Sequence, residues 1–402
     1  MPGIKDKCVP KLRFPQFKND GEWDVKELRD VADRITDKNT RNLELPVLTN
    51  SATEGVIKQT DYFEREIVTK ENLCNYYIAE TDDFVYNPRI SSTAPVGPVS
   101  RNKGEYGLLS PLYTIFRFKE GHLDFYEQFF KTNNWHYYLK KKANYGARFD
   151  RINISSEDFF SMPIPVPSLK EQKAIALCLT SLDACISASK AKLEQLKAHK
   201  KGLMQKLFPA RGKFVPELRF KEYKTDGGWA TAKLGDLIRT ISPPKKLQSG
   251  EYFSSGRNPI IDQSNDFICG YSDDENAVFN RISEEVIVFG DHTCVLKLVD
   301  FPFIQGADGI KVFKTKNPKI VSTLFIYYFL SYSPVASVQY KRHFFELKEK
   351  EIKYPVDISE QYSIATCLSA LDSLITASKE SLNQLIAHKQ GLMQQLFPIL
   401  KD

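Results

Sequence analysis

The 402-residue sequence lacks the short motifs on which several enzyme classes depend. It has no GxxxxGK(S/T) loop, which a nucleotide-driven motor needs to hold phosphates, and no GxSxG or HExxH motif of a hydrolase. An amino-methyltransferase acting on DNA would carry Asp or Asn followed by Pro-Pro and an aromatic residue, with a glycine-rich cofactor loop elsewhere. The nearest segment, residues 242–245, reads Ser-Pro-Pro-Lys and lacks both ends of that motif. The sequence therefore argues against these enzyme classes.

Cysteine pairs and long apolar runs are also missing. The seven cysteines are an odd number with no CxxC pair and no regular spacing, which argues against a disulfide framework and against a zinc site. No uninterrupted apolar run approaches the roughly 18 residues of a membrane span, and no signal peptide is recognisable. We therefore expect a reducing compartment and a cytoplasmic location.

The composition is that of an ordinary globular protein with a small positive excess. Apolar residues make up 42% and charged residues 26%, and the length suffices for two or three domains with their own cores. The formal net charge of +6 is compatible with nucleic-acid binding, although most lysines on any protein are simply solvated.

The most regular feature is a heptad stripe that occurs twice. Residues 169–209 and 359–398 are near-copies whose apolar positions recur every three or four residues, 189 positions apart. Such a stripe predicts a helix of roughly 55 Å that needs a partner helix, and the other copy is the obvious partner. Gly202 and Gly391 are expected to allow close approach of the two backbones. The predicted packing residues are Leu179, Leu182, Ile186, Leu193 and Leu196, with Leu368, Leu371, Ile375, Leu382 and Leu385.

A second repeat shows that the chain is a tandem duplication. Residues 9–31 recur as residues 215–237, offset by 206, and Trp23 and Trp229 are expected to anchor the two cores. The two bodies that lie between these repeats and the long helices share little sequence. A chain that keeps its ends and spacers alike while its bodies differ is suited to presenting two different recognition surfaces on one frame.

Both bodies read as mixed α/β structure. Strands are predicted at residues 82–88 and 112–118 in the first body, and at 284–290 and 310–315 in the second. An aromatic-rich helix is predicted at residues 122–142, and its counterpart at 323–341.

Basic residues interleaved with aromatic ones suggest contacts to nucleic acid. The run 134–151 places Lys, Arg and Tyr side chains close together, and cationic groups neutralise phosphates while Arg, Asn and Gln can read base edges. A hydrolytic role for Asp291 and His292 is disfavoured because no nucleophile accompanies them. The candidate DNA-binding residues are Arg101, Asn102, Lys103, Lys140, Lys141, Lys142, Tyr145, Arg148, Lys245, Lys246, Arg257, Asn258, Gln263, His292, Lys297, Lys341 and Arg342.

The whole pattern resembles one family, the DNA specificity (S) subunits of Type I restriction-modification systems. The resemblance rests on the duplicated plan and on short segments that are found in such subunits. These are PIPVP at 163–167 leading into LxEQxxIA at 169–176, its copy SEQxxIA at 359–365, KxGLMQxLF at 200–208 and its twin at 389–397, PxLRF at 10–14 and 216–220, GLxSPLY at 107–113, and FGDHT at 289–293.

The resemblance implies an α+β fold, a tandem duplication of two mixed α/β target-recognition domains separated by two long helices that pair as an antiparallel coiled coil. The implied domains are residues 1–167 and 210–356 for recognition, and 168–209 and 357–402 for the spacer helices. Each recognition domain would read one half of a bipartite DNA site, with the helices setting the gap.

The resemblance also implies that this chain is not an enzyme. Two methyltransferase subunits and nuclease/translocase subunits would be its partners on double-stranded DNA, and S-adenosylmethionine, ATP and Mg would bind only to those partners. The chain itself would hold no cofactor and no metal. A coiled-coil scaffold without a DNA role, or a specificity subunit of a related methylase/nuclease system, is the alternative.

Overall fold

The computed structural model describes residues 8–62, 70–143, 150–279, 285–306, 309–335 and 342–400. The chain divides into two compact units, residues 1–189 with 381–402 (unit 1) and residues 190–380 (unit 2). The predicted domains follow one another along the sequence, whereas the compact units each take one half of both long helices.

The described part of unit 1 contains ten short strands and five short α-helices, together with parts of the two long helices. The strands are β1 (Asp24–Glu27), β2 (Ala32–Ile35), β3 (Leu48–Ser51), β4 (Gly55–Lys58), β5 (Tyr77–Ala79), β6 (Phe84–Tyr86), β7 (Val99–Arg101), β8 (Gly107–Leu109), β9 (Thr114–Phe118) and β10 (Pro163–Val166). The helices are α1 (Leu28–Val31), α2 (Gln59–Tyr62), α3 (Leu123–Phe130), α4 (His136–Lys142), α5 (Ser156–Phe160) and the long α6 (Leu169–Leu207).

The core of unit 1 lies between a four-stranded antiparallel sheet and the helices α3 to α5. The sheet has the order β2-β9-β6-β7, and the pairs β1-β10, β3-β4 and β5-β8 lie outside it. Aromatic side chains fill the space, as where Phe84 and Phe116 stack with ring centroids 5.6 Å apart. Phe397, which follows the second long helix, completes this core by packing 5.3 Å from Phe125. The end of the chain is therefore part of the first unit.

Unit 2 repeats this plan with a different set of smaller sheets. Its strands are β11 (Ala230–Lys233), β12 (Ile238–Ile241), β13 (Lys246–Leu247), β14 (Asn258–Ile261), β15 (Gly270–Ser272), β16 (Val286–Gly290), β17 (Leu296–Val299), β18 (Ile304–Gly306), β19 (Ile310–Thr315) and β20 (Glu351–Tyr354). Its helices are α7 (Leu234–Leu237), α8 (Thr323–Tyr332), α9 (Phe344–Glu349) and the long α10 (Ile358–Leu396).

The main sheet of unit 2 has the order β12-β19-β16-β17, which matches β2-β9-β6-β7 strand for strand. The pair β11-β20 matches β1-β10 in the same way. The remaining strands differ, because unit 2 gathers β13, β18, β14 and β15 into a second four-stranded sheet. The duplication predicted from the chain ends therefore extends into the bodies, where the sequence does not display it.

The two long helices pair in antiparallel fashion, as predicted. In unit 1 the Lys389 ammonium donates to Asp183 Oδ1 at 2.6 Å, and in unit 2 the Lys200 ammonium donates to Asp372 Oδ1 at 2.6 Å. The later residue of α6 therefore pairs with the earlier residue of α10, which means that the two helices run in opposite directions. All ten predicted packing residues are at least half-buried. Those classed as buried are Leu179, Ile186, Leu193, Leu368 and Leu382, and the half-buried ones are Leu182, Leu196, Leu371, Ile375 and Leu385.

Three details differ from the sequence predictions. The predicted single helix over residues 122–142 is two helices, α3 and α4, because the segment TNN interrupts it with a turn. Helix α8 ends at Tyr332, one residue before the Ser-Pro dipeptide that cannot continue it, rather than at residue 341. No atom beyond its own helix lies within 4 Å of where a Cβ would stand on Gly202 or Gly391, so these glycines do not mark a close approach of backbones.

Helix α6 is apolar enough over one stretch to match a membrane span by length and composition, with a mean hydropathy of 1.3 over 18 residues. Its buried leucines and isoleucine are those of the heptad stripe, and Asp183 on the same helix is ion-paired with Lys389. Only 22% of that stretch is buried, so contacts within the structure cover part of its apolar surface and leave the rest exposed.

Candidate nucleic-acid interface

The Glu-Gln dipeptide at the start of α6 links the N-terminal repeat to the rest of unit 1. Arg13 donates two hydrogen bonds to the Glu171 carboxylate, at 2.8 and 2.7 Å, and the Trp23 indole donates a third at 3.1 Å. The Gln172 amide donates to the Pro167 carbonyl at 2.9 Å, and its oxygen accepts from the backbone N–H of His122 at 2.8 Å. This clamp joins the N-terminal motif, the PIPVP segment and the entry to α3.

The same clamp recurs in unit 2. Arg219 donates to both oxygens of Glu360 at 2.7 Å, and Gln361 bonds the Pro355 carbonyl and the backbone N–H of Ser322. The Trp229 indole nitrogen, in contrast, is buried without a hydrogen-bond partner among the described residues. The repeated sequence motifs are therefore structural, and in each unit they hold the body against the long helices.

The ion pairs between the long helices also contact helices of the two bodies. Asp183 accepts from Gln128 Nε2 on α3 at 2.9 Å, and Asp372 accepts from the Tyr328 hydroxyl on α8 at 2.9 Å. Burial alone would raise the pKa of Asp183, but hydrogen bonds from Lys389 and Gln128 hold that pKa below its ordinary value. A carboxylate whose pKa is lowered by folding stabilises the fold above its ordinary pKa, and this stabilisation is lost as the pH falls through the folded value.

A groove of about 680 Å³ opens on unit 1 where several strands end. Strand β3, the segment after β6, and the turn between β8 and β9 form its walls. The lining is rich in neutral hydrogen-bonding side chains and tyrosines, with two arginines at its margin, Arg89 and Arg151. Amides, hydroxyls and guanidinium groups of this kind are the ones that contact base edges and phosphates in protein–DNA complexes.

The floor of this groove is held by two side-chain amides, one of them buried. Asn50, which is 2% exposed, donates to the carbonyls of Val85 and Pro98, while Asn87 donates to the Asn50 carbonyl. The side-chain oxygen of Asn50 accepts no hydrogen bond from any described residue. Gly97, at φ +80°, lets the neighbouring loop approach closely, because a Cβ there would stand 2.0 Å from the Asn87 carbonyl oxygen. The floor is thus fixed, with one acceptor unused.

Unit 2 carries a groove of about 660 Å³ with a more basic lining. Four lysines line it, Lys245, Lys246, Lys311 and Lys348, and the last extends over the Phe344 ring. Strand register shows that this groove and the one in unit 1 border the same end of the main sheet. Phe116 of β9 pairs with β6, and Phe313 of β19 pairs with the equivalent strand β16, so the two phenylalanines are equivalent. The residue three positions before Phe116 is Tyr113, which lines the groove of unit 1, and the residue three positions before Phe313 is Ile310, which lines the groove of unit 2.

The candidate turn in the first body is largely tied down within the protein. Arg101 donates to Asp124 at 2.7 Å and pairs with Asp82, and Lys103 pairs with Glu127. Asn102 is 1% exposed, and its amide donates to two backbone carbonyls. The prediction that Asn102 reaches DNA is therefore opposed by its burial, and we leave it out of the surface proposed below.

The basic run in the first body lies on the last turn of α4. Lys140, Lys141 and Lys142 are exposed there, and Lys142 lies 3.8 Å from the Asp158 carboxylate. Tyr145 and Arg148 lie outside the described residues.

In the second body four of the eight described candidates are exposed. Lys245 and Lys246 line the groove, while Arg257 is exposed and pairs with Glu275. A hydrogen bond from Lys245 to Asp274 raises the pKa of this lysine. Arg342 is exposed, whereas Asn258, Gln263 and His292 are half-buried. Lys341 lies outside the described residues.

Lys297 is the clearest departure from the sequence prediction. It is 4% exposed, and its ammonium donates to the backbone carbonyls of Asp262 and Asp266. Because burial disfavours the charged ammonium, the pKa of Lys297 is lowered. A lysine used to fix a loop is not available to DNA, and we exclude it as well. Residues that the sequence did not single out include Arg89, Lys311, Lys348 and the amides Asn50 and Asn87. These residues are scattered over several segments of the sequence, and only the fold brings each group to one groove.

Among the described residues no cluster of three His, Cys, Asp or Glu side chains is arranged to hold a metal ion.

Comparisons with known proteins agree on one family. The model for the "Type I restriction modification DNA specificity domain" matches residues 20–198 and 226–387. The putative type I restriction enzyme MjaX specificity subunit of Methanocaldococcus jannaschii is 26% identical, over 93% of this chain and 92% of that protein. The Escherichia coli EcoR124I/EcoR124II specificity subunit is 25% identical over 33% of this chain and 34% of its own.

Two solved structures share the fold. The S subunit of a Type I restriction-modification system from M. genitalium has a TM-score of 0.65 at 16% identity, covering 98% of this chain and 100% of that one. A chain from a structure on complex assembly and conformational transition of the type I R-M system gives 0.52 at 14% identity, covering 94% and 98%. With two family domains in tandem and a matching fold, this chain belongs to the Type I restriction-modification DNA specificity family.

Proposed function

We propose that this chain is the DNA-reading subunit of a Type I restriction-modification complex, in which each unit reads one half of a bipartite site and the chain itself catalyses no reaction. The observation that carries the proposal is the contrast between frame and bodies. Equivalent Arg–Glu clamps and equivalent Asp–Lys pairs hold two bodies whose grooves differ in lining. One frame with two unlike grooves is what reading two unlike half-sites requires.

The grooves have the chemistry for duplex DNA. The groove of unit 1 combines neutral amides and hydroxyls with two marginal arginines, and the groove of unit 2 has four lysines. Side chains of the first kind can distinguish base edges, while cations supply the phosphate contacts that dominate affinity. We include the exposed lysines 140 to 142 among the phosphate-contacting candidates.

The long helices act as the spacer in this proposal. Each has 39 residues, and a helix of that length is about 58 Å long. Proteins that read two half-sites hold their reading elements about one or two DNA turns apart, and one turn is about 34 Å. Rigid paired helices of this length are suited to setting such a gap.

Catalysis would come from other subunits. We propose that two methyltransferase subunits dock on the helices and adjoining surfaces, and that nuclease/translocase subunits join them. S-adenosylmethionine, ATP and Mg would then bind to those partners, and a target adenine would be flipped into a partner's pocket. The complex would work where the DNA is, in the cytoplasm.

The proposal is tested by mapping N6-methyladenine across the host genome with the gene intact and with it deleted. We expect a two-part motif with a fixed unspecified gap that loses its methylation on deletion and regains it when the gene is restored. An unchanged methylome in a host whose partner methylase is expressed would contradict the proposal. It would leave the scaffold reading, which also predicts partner binding that is insensitive to salt.

A further inference from the structure

Two arginines face each other at the margin of the unit 1 groove. After β6 the chain continues through Pro88 to Arg89, and the segment before α5 runs antiparallel to it. The backbone N–H of Ile152 donates to the Pro88 carbonyl at 2.9 Å, which places Arg89 and Arg151 directly opposite each other in a β-bridge. Side chains directly opposite in an antiparallel pair lie on the same face, and their Cβ atoms are roughly 5 Å apart.

This placement is unfavourable for two cations by themselves. Like charges directly opposite in a β-pair destabilise it. Arg151 lies 3.9 Å from the Asp150 carboxylate, but both side chains are substantially exposed, so this pair is weak. Within the described residues the Arg89 guanidinium forms no ion pair. An anion that bound both guanidinium groups would remove the repulsion, and the exposure of Arg89 leaves the position open to one.

Strand register identifies the equivalent residues in unit 2. Phe84 pairs with Phe116 in the first sheet as Ile287 pairs with Phe313 in the second. Counting on from Phe84 and Ile287 by the same number of residues, Pro88 corresponds to Asp291 and Arg89 corresponds to His292.

The second side of this margin matches as well. The backbone N–H of His343 donates to the Asp291 carbonyl at 2.8 Å, just as that of Ile152 donates to the Pro88 carbonyl. His343 therefore corresponds to Ile152, and Arg342 corresponds to Arg151. Two bodies with little common sequence thus place a basic residue at both positions of the same backbone junction.

We propose that each junction seats a phosphate of the DNA backbone, between Arg89 and Arg151 in unit 1 and between His292 and Arg342 in unit 2. The inference rests on the proposed function and identifies which residues position the DNA against each groove. A phosphate is the ligand of choice because the charges are at the margin, while the groove floor in unit 1 carries neutral amides suited to bases. Half-sites differ in sequence but every half-site has phosphates, so a shared seat can serve two different readers.

The test uses the full chain assembled with its methyltransferase partner, bound to a duplex that carries the mapped site and to one that lacks it. The variant is Arg89→Gln with Arg151→Gln, and its matched control is Lys11→Gln with Lys18→Gln, two exposed lysines of the same unit outside the groove. Affinity is measured over a range of salt concentrations.

We expect the arginine variant to bind both duplexes roughly tenfold more weakly at moderate salt and to reduce the slope of log affinity against log salt by about 1, the value for one lost phosphate contact. The charge-preserving variant Arg89→Lys with Arg151→Lys should retain most of the slope. His292→Gln with Arg342→Gln should act in the same direction, and the lysine control should behave as wild type.

Two results would overturn the seat. One is an arginine variant with wild-type affinity and salt slope. The other is a loss of discrimination at a single base pair with the slope unchanged, which would mean that the arginines read a base. Failure of the proposed function would be seen separately, as a wild-type complex that binds the duplex with the site and the duplex without it equally well. The salt dependence of binding to either duplex would still test the phosphate seat.

Discussion

The two units of this protein are most alike where they touch the long helices and least alike at their grooves. Arg13 and Glu171 reproduce Arg219 and Glu360 down to the bidentate geometry. At the groove floor, unit 1 has the two-stranded β3-β4 hairpin, whereas unit 2 has a four-stranded sheet that contains β13. The contacts near the long helices hold the body in both units, and they are therefore alike. The two grooves differ because each contacts a different half-site.

The phosphate seat lies between these extremes. Its backbone junction is common to both units, but its side chains are Arg and Arg in one unit and His and Arg in the other. The comparison therefore suggests a gradient, from contacts that support the frame, through contacts to any DNA, to contacts with particular bases.

The largest expected effect comes from exchanging one body. Replacing residues 29–160 with the corresponding segment of another family member should change one half-site completely and leave the other half-site and the gap unaltered, because Arg13, Trp23, Glu171 and both long helices stay in place. The methylome of the host would report both halves at once. If both half-sites changed, the two units would not be independent readers.

A smaller effect should follow from breaking the clamps one at a time. Glu171→Ala leaves Arg13 buried without its partner, and Glu360→Ala does the same to Arg219, at a cost of about 3–5 kcal/mol each. Unit 1 should lose about 1–3 kcal/mol more, since only Trp23 has an indole bond to the lost carboxylate.

Hydrogen-exchange protection of each unit would measure these losses within the full chain. Glu194→Ala, which breaks an exposed pair with Lys197, is the matched control and should cost less than about 1 kcal/mol. Equal losses for Glu171→Ala and Glu360→Ala would show that the Trp23 bond adds nothing.

The smallest expected effect separates the two inter-helix pairs. Reversing a pair, as in Asp372→Lys with Lys200→Asp, keeps the ion pair but leaves the buried Tyr328 hydroxyl without its acceptor, so it should cost about 1–3 kcal/mol in unit 2. The reversal Asp183→Lys with Lys389→Asp should cost about 1 kcal/mol more, because Lys131 lies 3.7 Å from Asp183 and would then face a like charge.

Chemical denaturation of the two reversed proteins, with each single substitution beside them, would give these differences. If the added Lys131→Gln substitution does not rescue the reversal in unit 1, like-charge repulsion is not the cause of the difference.

The frame was predictable from sequence because its signals are local and repeated. A heptad stripe and a fixed offset of 189 residues are visible without any three-dimensional information, and they led to the helix pair and its packing leucines. The Glu-Gln dipeptides stand out in the sequence for the same reason, although nothing in the sequence assigns Arg13 and Arg219 as the partners of the two glutamates.

The residues at the groove margins were not predictable, because the difference in residue number between equivalent positions of the two bodies changes along the chain. Ala32 and Ile238 differ by 206 positions, Phe84 and Ile287 by 203, and Phe116 and Phe313 by 197. Insertions between strands change the offset each time, so only the strand register can match Arg89 to His292. Charge alone also misled, since Lys297 fixes a loop in the interior.

The position of Phe397 in the core of unit 1 has a consequence for synthesis of the chain. Unit 2 is one continuous segment, whereas unit 1 needs residues 381–402 to be complete. Domains usually finish folding in the order in which the ribosome makes them. Here the first body to emerge is the last to be finished, so a chain truncated near its end would lose support for the N-terminal reader.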